Sequence, residues 1–393
     1  MGTKGVVVMG FEESNLIDTC YRVLRGDITT KEASFLIGKS YRQTLRIIEK
    51  VDKHGPIGIK HGNLGRAPVN KTPELQRKKV LDLYLNEYFD HNLTHFLEKL
   101  EAKHNIKMNH ETMRLWAHKV NHVKRAHKRK KKKQHPRRNR MSQSGMLLQM
   151  DGSSHDWFGN GIKPSLIGNI DDATSECCFA EFFPAEDRFA VLTVMRRTIE
   201  KHGVPEVVYV DRAGAHGKDG LFRKFDGWQD HITDLERALL ELGCRLVFAH
   251  SPQAKGRIER MWNTFQDRLI PELRLNDIKR IPSANKFLQE HFIPMHNEKF
   301  ASTATNPNPA WKAIPEHLKN KLDEIFCIKE YRKIQNGEVI SFGGQIYNIN
   351  HNFETSLSGM RIEIRTYLDG TQKYFYTDKE IQLEREGFLI QAA

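Results

Sequence analysis

The sequence predicts a multidomain chain, with all-α units first, a central α/β domain next and a small β-barrel last. Three observations predict it. Apolar residues recur at helical spacing up to about residue 120. Short apolar strands alternate with helical stretches between residues 143 and 300. From residue 325 onward, β-type segments are separated by turn residues. A length of 393 residues suits this partition, because domains cluster near ~100–200 residues. A hydrophobic share of 39% supplies real cores and argues against wholesale disorder.

Residues 12–55 read as short helices around a tight turn. Leu16, Ile17, Cys20, Val23 and Leu24 share a helical face before Arg25-Gly26-Asp27 breaks it. Thr29 or Thr30 caps a helix running to Leu36, with Glu32 placed for a capping box. Gly38-Lys39-Ser40 is a turn, and Tyr41 to Val51 a second helix. This is the length pattern of a helix-turn-helix, with Tyr41, Arg42, Gln43 and Arg46 outward on the helix that would read DNA. Residues 56–72, rich in Gly and Pro with interspersed cations, form a linker that could also lie in a minor groove. Residues 73–122 give a second helical DNA-binding domain: Pro73–Phe89, Leu93–Lys103 and Glu111–Val120. His118 and His122 share a face there, but no cysteine or carboxylate accompanies them, so zinc is not expected.

Residues 123–142 form a basic linker. Its tract Lys124–Arg140 holds eleven Lys and Arg and no acid, so it accounts for most of the net charge of +13. Such a segment stays solvated and can follow a phosphate backbone by counterion release. A pI near 9.4 likewise favours a polyanion partner, most simply nucleic acid. The five cysteines are scattered without a CxxC pair, which fits buried reduced thiols in a cytoplasmic protein. No apolar run reaches the ~18–20 residues of a membrane span, and no signal peptide opens the chain.

Within residues 143–300, Gly145–Asp151 is an apolar strand expected to end in its acid. Pro164–Ile170 and Glu176–Phe183 follow as strands around the turn Asp171-Asp172-Ala173-Thr174. Then come a helix (Asp187–His202), a strand ending at Asp211 (Glu206–Asp211), a helix (His231–Leu242), a strand (Arg245–His250) and a helix bearing Glu259 (Ala254–Ile270). That order is the order of an RNase H-like α/β domain. Residues 325–393 read as all-β, with a hairpin from Glu338–Phe342 and Gln345–Ile349 about Gly343-Gly344. Further strands fall near 361–367 and 371–377, and a small barrel closes them.

Asp211 follows Asp151 by sixty residues, and Glu259 follows Asp211 by forty-eight. Acids at the ends of adjacent strands converge, and a helix crossing that edge can add a third. Three carboxylates cannot gather without cations to balance them. Hard oxygen donors favour Mg²⁺ or Mn²⁺. Two such ions, about 3.5–4 Å apart, suit in-line displacement at phosphorus. Asp156, Asp171 and Asp172 are neighbouring acids, and Asp in a turn is common for local hydrogen-bonding reasons. His155 and Trp157 either line the path of a bound polymer or pack. His216 and His250 are further candidate neighbours of the site.

The block HSPQAKGRIER (250–260) carries a closer signal. Together with QMDGSSHDWF (149–158), NIDDATSE (169–176), YVDRAG (209–214) and QDRLIPELR (266–274), it resembles integrase-core transposases of the ISNCY type, related to retroviral integrases. The resemblance implies that Asp151, Asp211 and Glu259 are the catalytic, metal-binding acids, holding two Mg²⁺ or Mn²⁺ ions. It implies that Lys255 and Arg257 meet DNA phosphate. The implied enzyme is a DDE transposase that binds terminal inverted repeats, cuts 3′ ends and joins them to target DNA. Holding two ends implies at least a dimer on DNA. The spacing between the second and third acids exceeds that of retroviral integrases, and the stretch 212–230 reads as an insertion. A His/Cys zinc module at the N-terminus is lacking. Two other readings share the basic charge and the helices: a DNA-binding regulator derived from a transposase, and a nuclease that cuts without joining.

Overall fold

The computed structural model describes residues 9–60, 63, 68, 71–120, 139–211, 233–248 and 256–385. Lys255, His216, His250 and His122 lie outside these residues, as do the stretch 212–230 and most of the basic tract. The chain divides into two units, residues 1–79 and 80–393.

The first unit holds α1 (Phe11–Arg25), α2 (Thr30–Ile37) and α3 (Tyr41–His54), followed by a 3₁₀ turn at Gly55–Ile59. Local chemistry sets these boundaries. The Thr29 hydroxyl accepts from Glu32 N at 3.3 Å, and the Glu32 carboxylate accepts from Thr29 N at 2.8 Å, completing the capping box. Gly26 and Gly38 close α1 and α2 in the left-handed conformation that favours glycine. Cys20, Ile48 and Val51 form the small buried centre. Tyr41, Arg42, Gln43 and Arg46 are exposed on the first turns of α3.

α4 (Glu74–Asn86) crosses the boundary between the units, and α5 (Leu93–His104) and α6 (His110–Lys119) follow. Val80, Tyr84, Phe96, Leu100 and Met113 fill the space among these helices. Next comes a five-stranded mixed sheet of β1 (Leu148–Ser154), β2 (Ser165–Asp171), β3 (Cys177–Phe183), β4 (Val207–Val210) and β5 (Arg245–Phe248), in the order β3-β2-β1-β4-β5. β1, β2 and β3 pair antiparallel, whereas β1–β4 and β4–β5 pair parallel. α7 (Arg188–His202) and α8 (Asp234–Glu241) cover one face, sharing a core with Leu148, Met150 and Val208. α9 (Gly256–Leu275), α10 (Ile281–Phe287), a π turn (Leu288–Phe292) and α11 (Ile293–Phe300) cover the other, around Trp157, Leu166, Trp262 and Phe265. Two covered faces explain why every residue of β2 is buried.

β1 corrects one expectation. It does not end at Asp151 but runs on to Ser154, because β2 continues to pair with it as far as Ser165. All five cysteines are free and buried, as expected.

After the short helices α12 (Glu316–Lys319) and α13 (Leu322–Ile325), six antiparallel strands form a nearly closed barrel: β6 (Ile328–Lys333), β7 (Val339–Phe342), β8 (Gln345–Asn350), β9 (Arg361–Thr366), β10 (Gln372–Tyr376) and β11 (Lys379–Arg385). Their order is β6-β9-β10-β11-β8-β7, and Gln335 bridges Val339 near the two edges. Gly343 and Gly344, both at positive φ, make the expected hairpin turn between β7 and β8. Ile340, Leu357, Ile362 and Ile364 are buried inside. Among the described residues, no helix is long and apolar enough to cross a membrane.

Candidate active site

Asp151 lies on β1, and Asp211 is the residue just past the end of β4, the parallel neighbour of β1, so the strand expected to run to Asp211 stops at Val210. β1 and β4 pair at Leu148 with Val208 and at Gln149 with Tyr209, and each acid lies two residues beyond the last pair. From that point β1 keeps only its antiparallel partner, with Asp151 opposite Gly168. The acids therefore stand where the two central strands part. Both line a cavity of about 10 Å³, together with Glu186, Val191 and Val210.

Side chains alternate across a strand, which assigns each neighbour of Asp151 to a face. Met150 packs into the core under α7 and α8, so Asp151 belongs to the face carrying α9. Gly168 opposite it has room for nothing larger: a Cβ there would lie 2.7 Å from Ala180 Cβ and 3.1 Å from Trp262 Cη2. Gly152 belongs to the α7 face, and a Cβ there would come within 2.3 Å of Glu186 Oε2. Glu186, just before the α7 cap Asp187, thus seats its carboxylate against the backbone next to Asp151.

Glu259 is exposed on the first turn of α9. The residue before it is tied to β1, since Ile258 N donates to Gln149 Oε1 at 3.2 Å. Gln149 Nε2 in turn donates to Asp172 Oδ1 at 2.8 Å, and Arg257 Nε donates to the same oxygen at 2.7 Å. Met141 N reaches Asp172 Oδ2 at 3.0 Å. Gln149 and Asp172 are fully buried, so this network joins β1, the β2–β3 turn and the start of α9 away from water. Asp171 serves the same turn, accepting from Gly145 N at 2.7 Å and Thr174 N at 2.8 Å.

The structure thus brings Asp151 and Asp211 to one cavity and pins the start of Glu259's helix two residues from Asp151. It does not draw the three into one tight cluster. Among the described residues, one group of three His, Cys, Asp or Glu has donor atoms all within 4.8 Å of one another, and it is His91, His95 and Glu272. Arg257 is largely covered, with its guanidinium on Asp172. Trp157 packs, fully buried, with its indole N–H on Ser153 O at 3.1 Å. His155 stands edge-on to it, and Asp156 accepts from the backbone of Asn160 and Gly161.

Sequence reasoning passed over Gln149 and Glu186. Gln149 carried a signal, a polar residue inside the apolar run GMLLQMD. Such a residue must find buried partners to remain there. Glu186 carried none.

No family model matches the chain. Among solved structures it is similar to a chain of the simian T-cell lymphotropic virus intasome in complex with PP2A regulatory subunit B56 gamma, at 13% identity and a TM-score of 0.34 over 73% of this chain and 97% of that one. That likeness is too distant to add weight. The curated relatives are nearer. Transposase y4bF of Sinorhizobium fredii is 29% identical over 368 residues, covering 93% of this chain and 79% of that protein. The transposase for insertion sequence IS1202 of Streptococcus pneumoniae is 30% identical over 313 residues, covering 71% and 66%. Identity at this level over most of the chain places it in the family of transposases to which these two proteins belong.

Proposed function

We propose that the chain cuts DNA at the ends of its own element and joins the freed 3′ ends to target DNA, using Asp151, Asp211 and Glu259 on an RNase H-like core. The observation that carries this reading is the arrival of Asp151 and Asp211 at one cavity where β1 and β4 part, with the start of α9 tied to Gln149 of the same strand β1.

The donor set fits hard divalent cations, because carboxylates are the groups within reach and like charges at one place need a counterion. When bound, Mg²⁺ or Mn²⁺ would stabilise the charge that develops on the attacking and leaving oxygens. Asp151, Asp211 and Glu259 would hold the ions. Gln149, Asp172 and Arg257 keep the start of α9 against β1 and so hold Glu259 in place. In the first step water attacks the phosphodiester, leaving a 3′-hydroxyl on one side and a 5′-phosphate on the other. In the second, that hydroxyl attacks a target phosphodiester and displaces a new 3′-hydroxyl. Neither step needs a protein nucleophile. Tyr41, Arg42, Gln43 and Arg46, exposed on α3, would read the inverted repeats as part of a helix-turn-helix. Lys255 would meet DNA phosphate. Two ends held together require at least a dimer on DNA.

The test mixes the full chain with labelled end duplexes, supercoiled target and Mg²⁺ or Mn²⁺, beside Glu259→Gln. Joined product from the parent chain and none from the variant is expected. Cutting without joining would make the protein a nuclease. End binding with no chemistry under either ion would make it a DNA-binding regulator and overturn the role of the acids.

A further inference from the structure

α5 and the residues just before it (Asp90 to Asn92) face α9 along a polar seam, beside the apolar contact that Leu275 makes with the core of Phe96 and Leu100. Arg268 forks onto Glu98 at 2.7 and 3.1 Å, Arg274 forks onto Asp90 at 2.7 Å through each nitrogen, and Asn92 donates to Asp267. His91, His95 and Glu272 lie within this seam, 3%, 1% and 4% exposed. One donor atom from each lies within 4.8 Å of the others. Glu272 Oε1 receives His95 Nε2 at 2.7 Å and Lys99 Nζ at 2.5 Å. His91 Nδ1 is held by Asp90 Oδ1 at 3.0 Å. Two atoms are left over: His91 Nε2 and His95 Nδ1 are buried without a hydrogen-bond partner.

Buried polar atoms are rarely left so. In the neutral ring with Nδ1–H donating to Asp90, His91 Nε2 carries a lone pair and no proton. A carboxylate orienting one imidazole nitrogen so that the other can bind a metal is a recurrent arrangement. We propose that His91, His95 and Glu272 form a structural zinc site that ties α5 to α9. Two imidazoles and a carboxylate suit zinc better than Mg²⁺, which prefers oxygen donors throughout. Zinc–ligand distances of about 2.0–2.2 Å put tetrahedral donors roughly 3.3 Å apart, so His95 Nε2 and Glu272 Oε1, 2.7 Å apart, would open slightly while any wider donor separation closes. The ammonium of Lys99 would move off Glu272. Its side chain is 16% exposed and long enough to turn toward solvent. Glu272 and Glu259 lie on the same helix, so the ion would fix the element that presents Glu259.

The test uses the full chain, stripped with chelator and titrated with Zn²⁺, and with Co²⁺ for its tetrahedral absorption. Metal content and thermal midpoint are read alongside. His91→Gln removes a donor, Lys99→Met removes the competing ammonium, and Asp151→Asn removes an acid of the candidate active site. The expected result is one zinc per chain and a raised midpoint. Affinity should fall at least about tenfold in His91→Gln, rise in Lys99→Met and stay unchanged in Asp151→Asn. If His91→Gln does not fold, tighter binding by Lys99→Met carries the proposal and unchanged binding overturns it. It is also overturned if the parent chain binds no zinc, if His91→Gln binds as tightly as the parent, or if binding is lost with Asp151→Asn.

Discussion

Glu186 and Gly152 are coupled at a distance that leaves no slack. A methyl at residue 152 would come within 2.3 Å of Glu186 Oε2. Because that oxygen is the far end of a flexible side chain, Gly152→Ala should move the carboxylate and leave the strand intact. A negative charge beside Asp151 and Asp211 strengthens the local demand for a cation. Gly152→Ala and Glu186→Gln should therefore both raise the Mg²⁺ concentration needed for half-maximal cutting several-fold, with little change in thermal midpoint. An unchanged Mg²⁺ dependence in Glu186→Gln would remove that acid from the site. His296 makes a second prediction at this scale. Burial pushes its imidazole down to about 4, against a weaker opposing pull from Asn297, while Phe265, Phe292 and Phe300 surround it and Arg268 adds like charge. The unfolded chain would take up that proton near pH 6.5. Stability from the neutral ring is thus fully present above pH 6.5 and is lost as pH falls toward 4, a loss of about 3 kcal/mol for a shift of this size. Urea midpoints between pH 4 and 7 should show the slope in the parent chain and a shallower one in His296→Phe.

At the scale of elements, α9 depends on a charge pair that helix propensity does not reveal. Arg257 and Asp172 are 11% and 0% exposed in their side chains, and Asp172 also holds Gln149. Breaking such a pair from one side leaves a buried charge and costs about 3–5 kcal/mol. Arg257→Ala should lower the denaturation midpoint accordingly, with binding of end DNA weakened no more than the unfolding explains. A large loss of DNA affinity at unchanged stability would instead give Arg257 the phosphate contact that family resemblance implies. This residue shows where the sequence stops being legible. Its position one turn into a helix was readable, but its partner lies eighty-five residues away, and local pattern carries no trace of it. The capped helices α2 and α7 and the β7–β8 hairpin were readable because their caps, periodicity and turn residues all sit within a few positions. α10 to α13 went unread, as did β6 and β11. β6 is charged and exposed on alternate positions without an apolar run, and it is specified mainly by its pairing with β9. Asp151 was legible as an acid on an apolar strand and Asp211 as an acid at the end of one, although β4 stops at Val210, whereas the extension of β1 past Asp151 depends on β2.

At the scale of the whole molecule, charge is distributed unevenly along the chain, and that makes a prediction about DNA affinity. The tract Lys124–Arg140 contains eleven of the cations in a chain whose net charge is +13. The last of them, Arg140, is anchored on the core, donating to Ala173 O at 2.9 Å and Ser175 Oγ at 2.8 Å. The tract thus leads directly to the β2–β3 turn that also holds Arg257 through Asp172. Cations that neutralise phosphates release counterions, and each lowers the log–log slope of affinity against salt by about 0.9. Replacing Lys130, Lys131, Lys132 and Lys133 with Gln should flatten that slope by up to about 3.6 if all four meet phosphate. The effect should be equal on end duplexes and unrelated duplexes, because phosphate contacts carry no base information. Substituting Arg42 and Gln43 on α3 should do the opposite, reducing preference for the ends with a smaller change in slope. Fluorescence anisotropy across a salt series, with both duplexes, separates the two. A slope unchanged by the four substitutions would show that the tract stays in solvent and that the phosphate contacts come from the folded units.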